Sequence, residues 1–174
     1  MTLTYNLGDF LENIHYESIP QEAISLACLG FTDTVGVIMA GISEPIVKVL
    51  HEEISDGVAA RQARACLSDL WVSAPDAAMI NGTAAHALDY DDQALTGHPS
   101  AVLYSAILAE GEHLGSSGKD MATAFVAGYE VWAELVRRNT GYHVKGWHPT
   151  SVFGTVAAAA AASVLRKLPA DKAA

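Results

Sequence analysis

The chain has 174 residues, of which 51% are apolar and only 17% are charged. This length is enough to bury the core of one domain, and the apolar content argues against disorder. The formal net charge of −10 disfavours general binding to nucleic acid or to an anionic membrane surface. The low proportion of charged residues indicates that another domain or subunit covers part of the surface.

Targeting signals and reactive cysteine patterns are not evident in the sequence. Cys28 and Cys66 lie far apart and in no metal or redox spacing, so we expect both thiols to be reduced and buried in a cytoplasmic protein. Residues 1–9 lack the basic and apolar regions of a signal peptide, and polar residues or glycines interrupt the apolar stretches. We therefore expect no membrane partner.

Apolar residues recur at three- and four-residue steps along most of the chain, a pattern typical of helices. In the first half, helices are predicted over 9–14, 20–42 and 45–57, and prolines suit the first turn of the second and third. Residues 65–72 are interpreted as a short strand or a connector.

Four further helices are predicted in the second half, over 73–89, 99–114, 119–138 and 149–168. Ser73 is a predicted N-cap, and Ser117 with Asp120 three residues later indicates a capping box. The six consecutive alanines at 157–162 favour close packing between helices. We expect one all-α domain over residues 1–174, with about six helices and little or no sheet.

Small residues and carboxylates share one face of the predicted helix 73–89 when it is extended by three residues. At ~100° per residue, that face contains Ala78, Gly82, Ala85, Asp89 and Asp92. The pattern indicates a tightly packed helix that delivers a carboxylate into a cavity. The alternative is that the aspartates lie in solvent at a frayed helix end, where the helix dipole disfavours negative charge.

The stretches 97–102 and 147–152 resemble each other, because in both a histidine and a proline precede a hydroxyl residue and an apolar run. Each is interpreted as a helix start, where free N–H groups favour anions. Two such starts, bearing His98 and His148, would form a carboxylate-binding pocket with side chains that can transfer protons. The alternative is that both imidazoles only cap their helices or lie in solvent.

A metal site competes with this interpretation, because five nearby side chains are of ligating types: His86, Asp89, Asp91, Asp92 and His98. His86 and Asp89 are three residues apart, which turns them about 60° away from each other on a helix. No second His-x-x-Asp unit is present. We therefore predict that no metal is bound.

Several long motifs resemble the MmgE/PrpD family in order and spacing. They are Ala78-Met79-Ile80-Asn81-Gly82-Thr83-Ala84-Ala85-His86-Ala87-Leu88-Asp89-Tyr90-Asp91-Asp92, His98-Pro99-Ser100, Gly118-Lys119-Asp120 with Gly128-Tyr129-Glu130-Val131, and Gly146-Trp147-His148-Pro149-Thr150-Ser151-Val152-Phe153-Gly154-Thr155. This family contains 2-methylcitrate dehydratase, cis-aconitate decarboxylase and iminodisuccinate epimerase. The resemblance implies a mainly helical domain, a smaller α+β lid that this chain lacks, a homodimer, and no metal or organic cofactor.

By the same resemblance, Asp89, His98 and His148 match catalytic positions of the decarboxylase branch. We expect Ser100, Ser151 and Gln93 to bind substrate. Gln93 stands where that branch often has a hydroxyl residue, and the loop to His98 is one residue shorter. These two departures favour a dehydratase-like activity over a decarboxylase.

The resemblance therefore implies a lyase that abstracts a proton next to a carboxylate of a small polycarboxylate. We expect the chain to be incomplete, since the family's later segments supply active-site lysines, a further histidine and the lid. A complementing C-terminal piece is an alternative partner to a second copy. The alternative functions are a non-catalytic helical assembly module or fragment, and an isomerase of the iminodisuccinate epimerase type.

Overall fold

A computed structural model describes residues 2–55 and 60–174. Within these ranges the α-helices are α1 (Leu3–Asn13), α2 (Gln21–Gly41), α3 (Pro45–Ser55), α4 (Ala74–His86), α5 (Pro99–Leu114), α6 (Gly118–Arg138), α7 (Pro149–Leu165) and α8 (Ala170–Ala173). Short 3-10 helices cover Tyr16–Ser18 and His143–Lys145. Because 71% of the described residues are helical and almost none of them form strand, the all-α prediction is confirmed.

The two predicted N-caps are present. The Ser73 hydroxyl accepts a hydrogen bond from the Asp76 N–H at 3.3 Å. Ser117 accepts one from the Asp120 N–H at 3.2 Å, while the Asp120 carboxylate accepts one from the Ser117 N–H at 2.9 Å. These reciprocal bonds satisfy two of the free N–H groups at the start of α6, as a capping box does.

Several predicted helix boundaries differ from the observed ones, and one lies outside the described residues. The first helix begins at Leu3 rather than at residue 9, because the Thr2 hydroxyl caps it by accepting from the Tyr5 N–H. The last long helix ends at Leu165 rather than at residue 168. The predicted end of the third helix at Gly57 lies outside the described residues.

The largest correction concerns the end of α4, which is His86 and not Asp89. Asp89 has a φ of +54°, in the left-handed region that ends a helix rather than continuing it. The single helical face proposed for Ala85, Asp89 and Asp92 therefore does not exist, because the two aspartates lie in the loop after the helix.

Helix α5 is the centre of the fold and packs against α4, α6 and α7. Its Leu103 and Ile107 are fully buried, as is Trp132 of α6. Helices α6 and α7 approach closely, since a Cβ at Gly128 would lie 2.9 Å from the Ala157 carbonyl oxygen and 3.3 Å from the Ala161 Cβ. The alanine run thus packs directly against a neighbouring backbone, as predicted.

A two-stranded antiparallel ribbon pairs β1 (Ala63–Arg64) with β2 (Trp71–Val72). It settles the ambiguous stretch 65–72 as a turn followed by a very short strand. Arg64 pairs with Glu112 of α5 at 2.9 Å, and this ion pair attaches the ribbon to the central helix.

Helix α2 is long and apolar enough to cross a membrane by length and composition alone, and 28% of its most apolar window is buried. Its exposed apolar side chains include Leu26, Leu29 and Met39. The two thiols are free, but Cys28 is exposed and Cys66 is half-buried. The prediction that both cysteines are buried is therefore wrong, because Cys28 lies on the outer side of α2.

Candidate functional site

The loop between α4 and α5, residues 87–98, folds back on itself. Three of its residues have positive φ values, namely Asp89 (54°), Leu95 (49°) and Thr96 (65°). A single bridge between Ala94 and Gly97 closes its second half. This path returns the chain to the end of α4, so that His86 and His98 lie side by side with ring centroids 4.5 Å apart.

A buried carboxylate joins these two imidazoles. The Asp91 Oδ1 lies 2.9 Å from His86 Nδ1, and the Asp91 Oδ2 lies 3.1 Å from His98 Nδ1. The Asp91 side chain is only 2% exposed. Both carboxylate oxygens therefore have a partner, as a buried charge requires.

Asp89 approaches the same cluster from the solvent side. Its side chain is 78% exposed, and its Oδ1 lies 3.8 Å from His98 Nε2. This distance is longer than a hydrogen bond, so the two atoms are not bonded to each other. The two nitrogens of His98 thus face different carboxylates, one buried and one open to solvent.

Asp92 caps the start of α5. Its Oδ1 accepts from the Ser100 N–H at 3.3 Å, and its Oδ2 accepts from the Ser100 hydroxyl at 2.7 Å. His98 precedes the helix but makes no side-chain capping bond. A carboxylate of this chain therefore already occupies the position at this helix start where an external anion could bind.

The start of α7 lies directly against the start of α5. The His98 N–H donates to the Thr150 hydroxyl at 3.2 Å. A Cβ at Gly97 would lie 2.8 Å from that hydroxyl oxygen and 2.9 Å from the Trp132 ring. The indole N–H of the buried Trp132 also donates to the Leu95 carbonyl at 3.1 Å. Trp132 therefore contacts the 87–98 loop from the interior of the protein.

His148 is exposed at the start of α7 and makes no capping bond to its own helix. Its Nδ1 lies 3.4 Å from the Ser151 hydroxyl. The sequence predicts an unusual backbone at Gly146 and a buried anchor at Trp147 just before this helix. Gly146 does have a φ of +82°, but Trp147 is 58% exposed. That expectation is wrong because the loop before α7 lies on the surface and Trp132 fills the interior instead.

Two open grooves border the cluster. One, of about 940 Å³, lies between α4 and α7 over α5 and includes His86, Thr150 and Ser151. The other, of about 730 Å³, lies beside α2 and includes Tyr90, Asp92 and Ser100. Among the residues that the structure describes, no lysine or arginine lines either groove.

A buried tyrosine contacts Phe125 and Ala27, two residues that line the second groove, but is not available for acid–base chemistry. Tyr104 stacks on Phe125 with centroids 4.2 Å apart and donates its hydroxyl to the Ala27 carbonyl. Burial raises the pKa of Tyr104 far above its ordinary value, with smaller contributions from the nearby Cys28 and Asp92 side chains. Its role is therefore packing and hydrogen bonding.

The residues selected from the sequence occupy different positions. The structure brings Asp89 and His98 together. His148 precedes Thr150 by two residues in the sequence, and the Thr150 hydroxyl contacts the His98 backbone. Ser100 is buried against Asp92, whereas Ser151 lines a groove beside His148.

Gln93 is exposed on the loop. Sequence reasoning did not select His86 and Asp91 as catalytic-site residues, although both were noted as possible ligands. The available signal was a histidine at a helix end followed by an aspartate-rich loop.

Four side chains could hold a metal ion: His86, Asp89, Asp91 and His98. Each offers one ligand atom, and these atoms lie within 4.8 Å of one another. The donor types suit a divalent transition metal. The same atoms also form a hydrogen-bonded cluster without one, so the metal-free prediction stays a prediction.

Comparison with known proteins identifies relatives of this chain. The family model described as the MmgE/PrpD N-terminal domain matches residues 5–174. The cis-aconitate decarboxylase of Homo sapiens is 37% identical over 103 residues, which cover 55% of this chain and 21% of the human protein.

The Mus musculus cis-aconitate decarboxylase is 38% identical over 94 residues, covering 50% of this chain and 19% of that protein. The cis-aconitate decarboxylase-like protein oryM of Aspergillus oryzae is 37% identical over 106 residues, covering 55% and 22%. The matched stretch therefore spans about a fifth of each relative.

Proposed function

Since the chain belongs to the MmgE/PrpD family, we propose that it supplies the histidine–aspartate part of the active site of a lyase. The substrate is a small polycarboxylate, and the reaction removes a proton next to a carboxylate before water leaves, as in 2-methylcitrate dehydratase. The observation that carries this proposal is the position of His98 Nε2, which lies 3.8 Å from the exposed Asp89 carboxylate and is not hydrogen-bonded to it.

His98 is the proposed base. Its Nδ1 is bonded to the buried Asp91, which leaves Nε2 to accept the proton from the substrate carbon. Asp89 then stabilises the positive charge on the imidazole from the other side. A positioned base of this kind contributes a rate factor of ~10²–10⁴.

His148 is the proposed acid. It lies at the helix start that contacts His98 through Thr150, and in its protonated form it donates a proton to the leaving hydroxyl, which departs as water. The side chain is exposed and makes no capping bond, so it is free to meet a ligand.

Binding of a negatively charged polycarboxylate requires more positive charge than these residues supply. In the part of the chain that the structure describes, hydroxyl and apolar side chains with His86 line the first groove, and carboxylates such as Asp92 line the second together with hydroxyl and apolar groups. No lysine or arginine lines either groove. The start of α7 offers free N–H groups to one carboxylate. We propose that the family's later segments supply the remaining positive charge, and that either this chain is assembled with them or a second copy completes the site.

The test is a substrate panel with the complete protein: 2-methylcitrate, citrate, cis-aconitate and iminodisuccinate. We expect dehydration of a hydroxylated polycarboxylate, with loss of at least ~100-fold in turnover for His98→Gln and Asp89→Asn. Turnover of cis-aconitate with release of carbon dioxide would support the activity named for the relatives instead, and turnover of iminodisuccinate would support an epimerase. No turnover of any of them would overturn the substrate class.

Decarboxylation of cis-aconitate is the second candidate, favoured by the 37% identity to the human cis-aconitate decarboxylase. The exposed Gln93 stands where that branch often carries a hydroxyl group. Replacing Gln93 with Thr tests whether this difference matters. An increase in cis-aconitate decarboxylation relative to dehydration would show that Gln93 limits a decarboxylase-like activity of this site.

A non-catalytic assembly module is the alternative from another class, and the exposed apolar side chains of α2 favour it. Assaying the isolated chain beside a mixture with a complementing C-terminal piece separates the two. Activity of the isolated chain would refute the non-catalytic role. Activity of the mixture alone would support a split or incomplete enzyme.

A further inference from the structure

The buried Asp91 contacts two imidazoles, and both do so through Nδ1. His86 and His98 both direct Nδ1 at it, at 2.9 and 3.1 Å. We propose that Asp91 is a positioning residue that fixes the tautomer of His98, and that His86 acts through Asp91 by holding its second oxygen. Neither residue is assigned a direct contact with substrate.

The tautomer follows from hydrogen-bond chemistry. An ionised carboxylate only accepts hydrogen bonds, so each Nδ1 that bonds to it must carry a proton. A neutral imidazole with its proton on Nδ1 has its lone pair on Nε2. For His98 that lone pair is on the atom that faces Asp89. Asp91 therefore keeps His98 in the only neutral form whose Nε2 can accept a proton.

His86 is required because a buried carboxylate is costly when one oxygen lacks a partner. The Asp91 side chain is 2% exposed, so water is not a ready substitute, while the His86 side chain is 39% exposed. By donating to Oδ1, His86 fixes the rotation of the carboxylate group and leaves Oδ2 to His98. The role needs a donor at the position of Nδ1, not a titrating ring.

The first test is spectroscopic and needs no substrate. Long-range ¹⁵N–¹H spectra of the complete protein at about pH 8, where a free imidazole is neutral, distinguish the two tautomers. We expect His86 and His98 to carry the proton on Nδ1. In Asp91→Asn the amide offers one acceptor and one donor, so one of the two rings must switch to the Nε2–H form. The exposed His113 serves as the unchanged reference.

The second test is kinetic and rests on the proposed function. Asp91→Asn is expected to lower kcat at least ~10-fold with a smaller effect on KM. Losses of this kind follow when the partner that fixes the tautomer or orientation of a site residue is replaced. His86→Asn places an amide N–H near the position of Nδ1 and should retain turnover within about threefold of the wild type. His86→Leu removes the donor and should lose at least ~10-fold.

The outcomes separate this proposal from the proposed function. A protein that turns over no polycarboxylate but shows the expected spectra would retain the positioning role and lose only the reaction class. A wild-type His98 with its proton on Nε2, or an Asp91→Asn spectrum with both rings unchanged, would overturn the positioning role. Equal losses in His86→Asn and His86→Leu would also overturn it, since they would make His86 itself an acid or base.

Discussion

The Thr150 hydroxyl accepts a hydrogen bond from the backbone N–H of His98 across 52 residues of sequence. This bond links the start of α7 to the loop that carries the histidine–aspartate cluster. The Thr150 hydroxyl thus helps to hold the two helix starts together.

Thr150→Val should weaken this link, because it leaves the half-buried His98 N–H without an acceptor. We expect a loss of ~1–3 kcal/mol in the free energy of unfolding, measured by denaturant titration, together with reduced turnover. Thr150→Ser keeps the hydroxyl and is the matched control. If Thr150→Val and Thr150→Ser behave alike, the bond does not hold the two starts together.

Gly97→Ala should separate the same two elements by overpacking. A Cβ there would lie 2.8 Å from the Thr150 hydroxyl oxygen and 2.9 Å from the Trp132 ring, so the start of α7 must shift. We expect a loss of ~1–3 kcal/mol. At Gly36, in the middle of α2, an added Cβ meets nothing within 4 Å.

Gly36→Ala is therefore the control and should raise stability by up to ~1 kcal/mol. The measurement is again the midpoint and slope of a denaturant titration, with turnover as a second readout. A stable and fully active Gly97→Ala variant would contradict the close contact between Gly97 and the start of α7.

His148→Asn distinguishes a catalytic from a capping role. The imidazole is exposed and makes no capping bond to α7, so the melting temperature should barely move, while turnover of the complete enzyme should fall at least ~100-fold. His113→Asn, an exposed histidine at the end of α5, is the control. Retained turnover with a changed melting temperature would make His148 a structural residue.

The capping box of α6 predicts a pH-dependent stability. The Ser117 hydroxyl, followed by its backbone N–H, holds the pKa of Asp120 below its ordinary value. Because the folded-state pKa is depressed, this contribution is present above the pKa of the unfolded chain and is lost as the pH falls through the folded-state pKa. Stability measured from neutral pH into the acid range should therefore decline partly through Asp120.

Asp120→Asn should flatten that acidic decline, and Ser117→Ala should cost ~1 kcal/mol at neutral pH. Both are measured by thermal unfolding at a series of pH values. An acid limb of unchanged steepness in Asp120→Asn would show that the cap does not contribute to the pH dependence.

Local patterns predicted the helices well because capping and periodicity are encoded in neighbouring residues. Ser73 and the pair Ser117 and Asp120 carry their signals within four positions. The end of α4 was mispredicted because the periodicity of small residues continues past His86. The left-handed turn at Asp89 depends on the loop folding back toward the end of α4. The periodicity of one helix carries no information about such a tertiary contact.

The candidate site was predicted only in part for the same reason. Asp89, His98 and His148 were selected from their motifs. The contribution of His86 and Asp91 depends on the loop after α4. This loop brings His86 and His98, twelve positions apart in the sequence, to a ring-centroid distance of 4.5 Å. The glycine before Trp147 favours a buried aromatic anchor, but Trp132 fills the interior and Trp147 lies on the surface.

The carboxylate of Asp92 makes the two histidine-bearing helix starts unequal. It occupies the start of α5, whereas the corresponding position at α7 has no side-chain cap from His148. A ligand with two chemically identical carboxylates would meet an electrostatically attractive end at one helix and a repelling one at the other. Under the proposed function, we therefore expect a prochiral substrate of this kind to bind in one orientation, with a carboxylate at the start of α7.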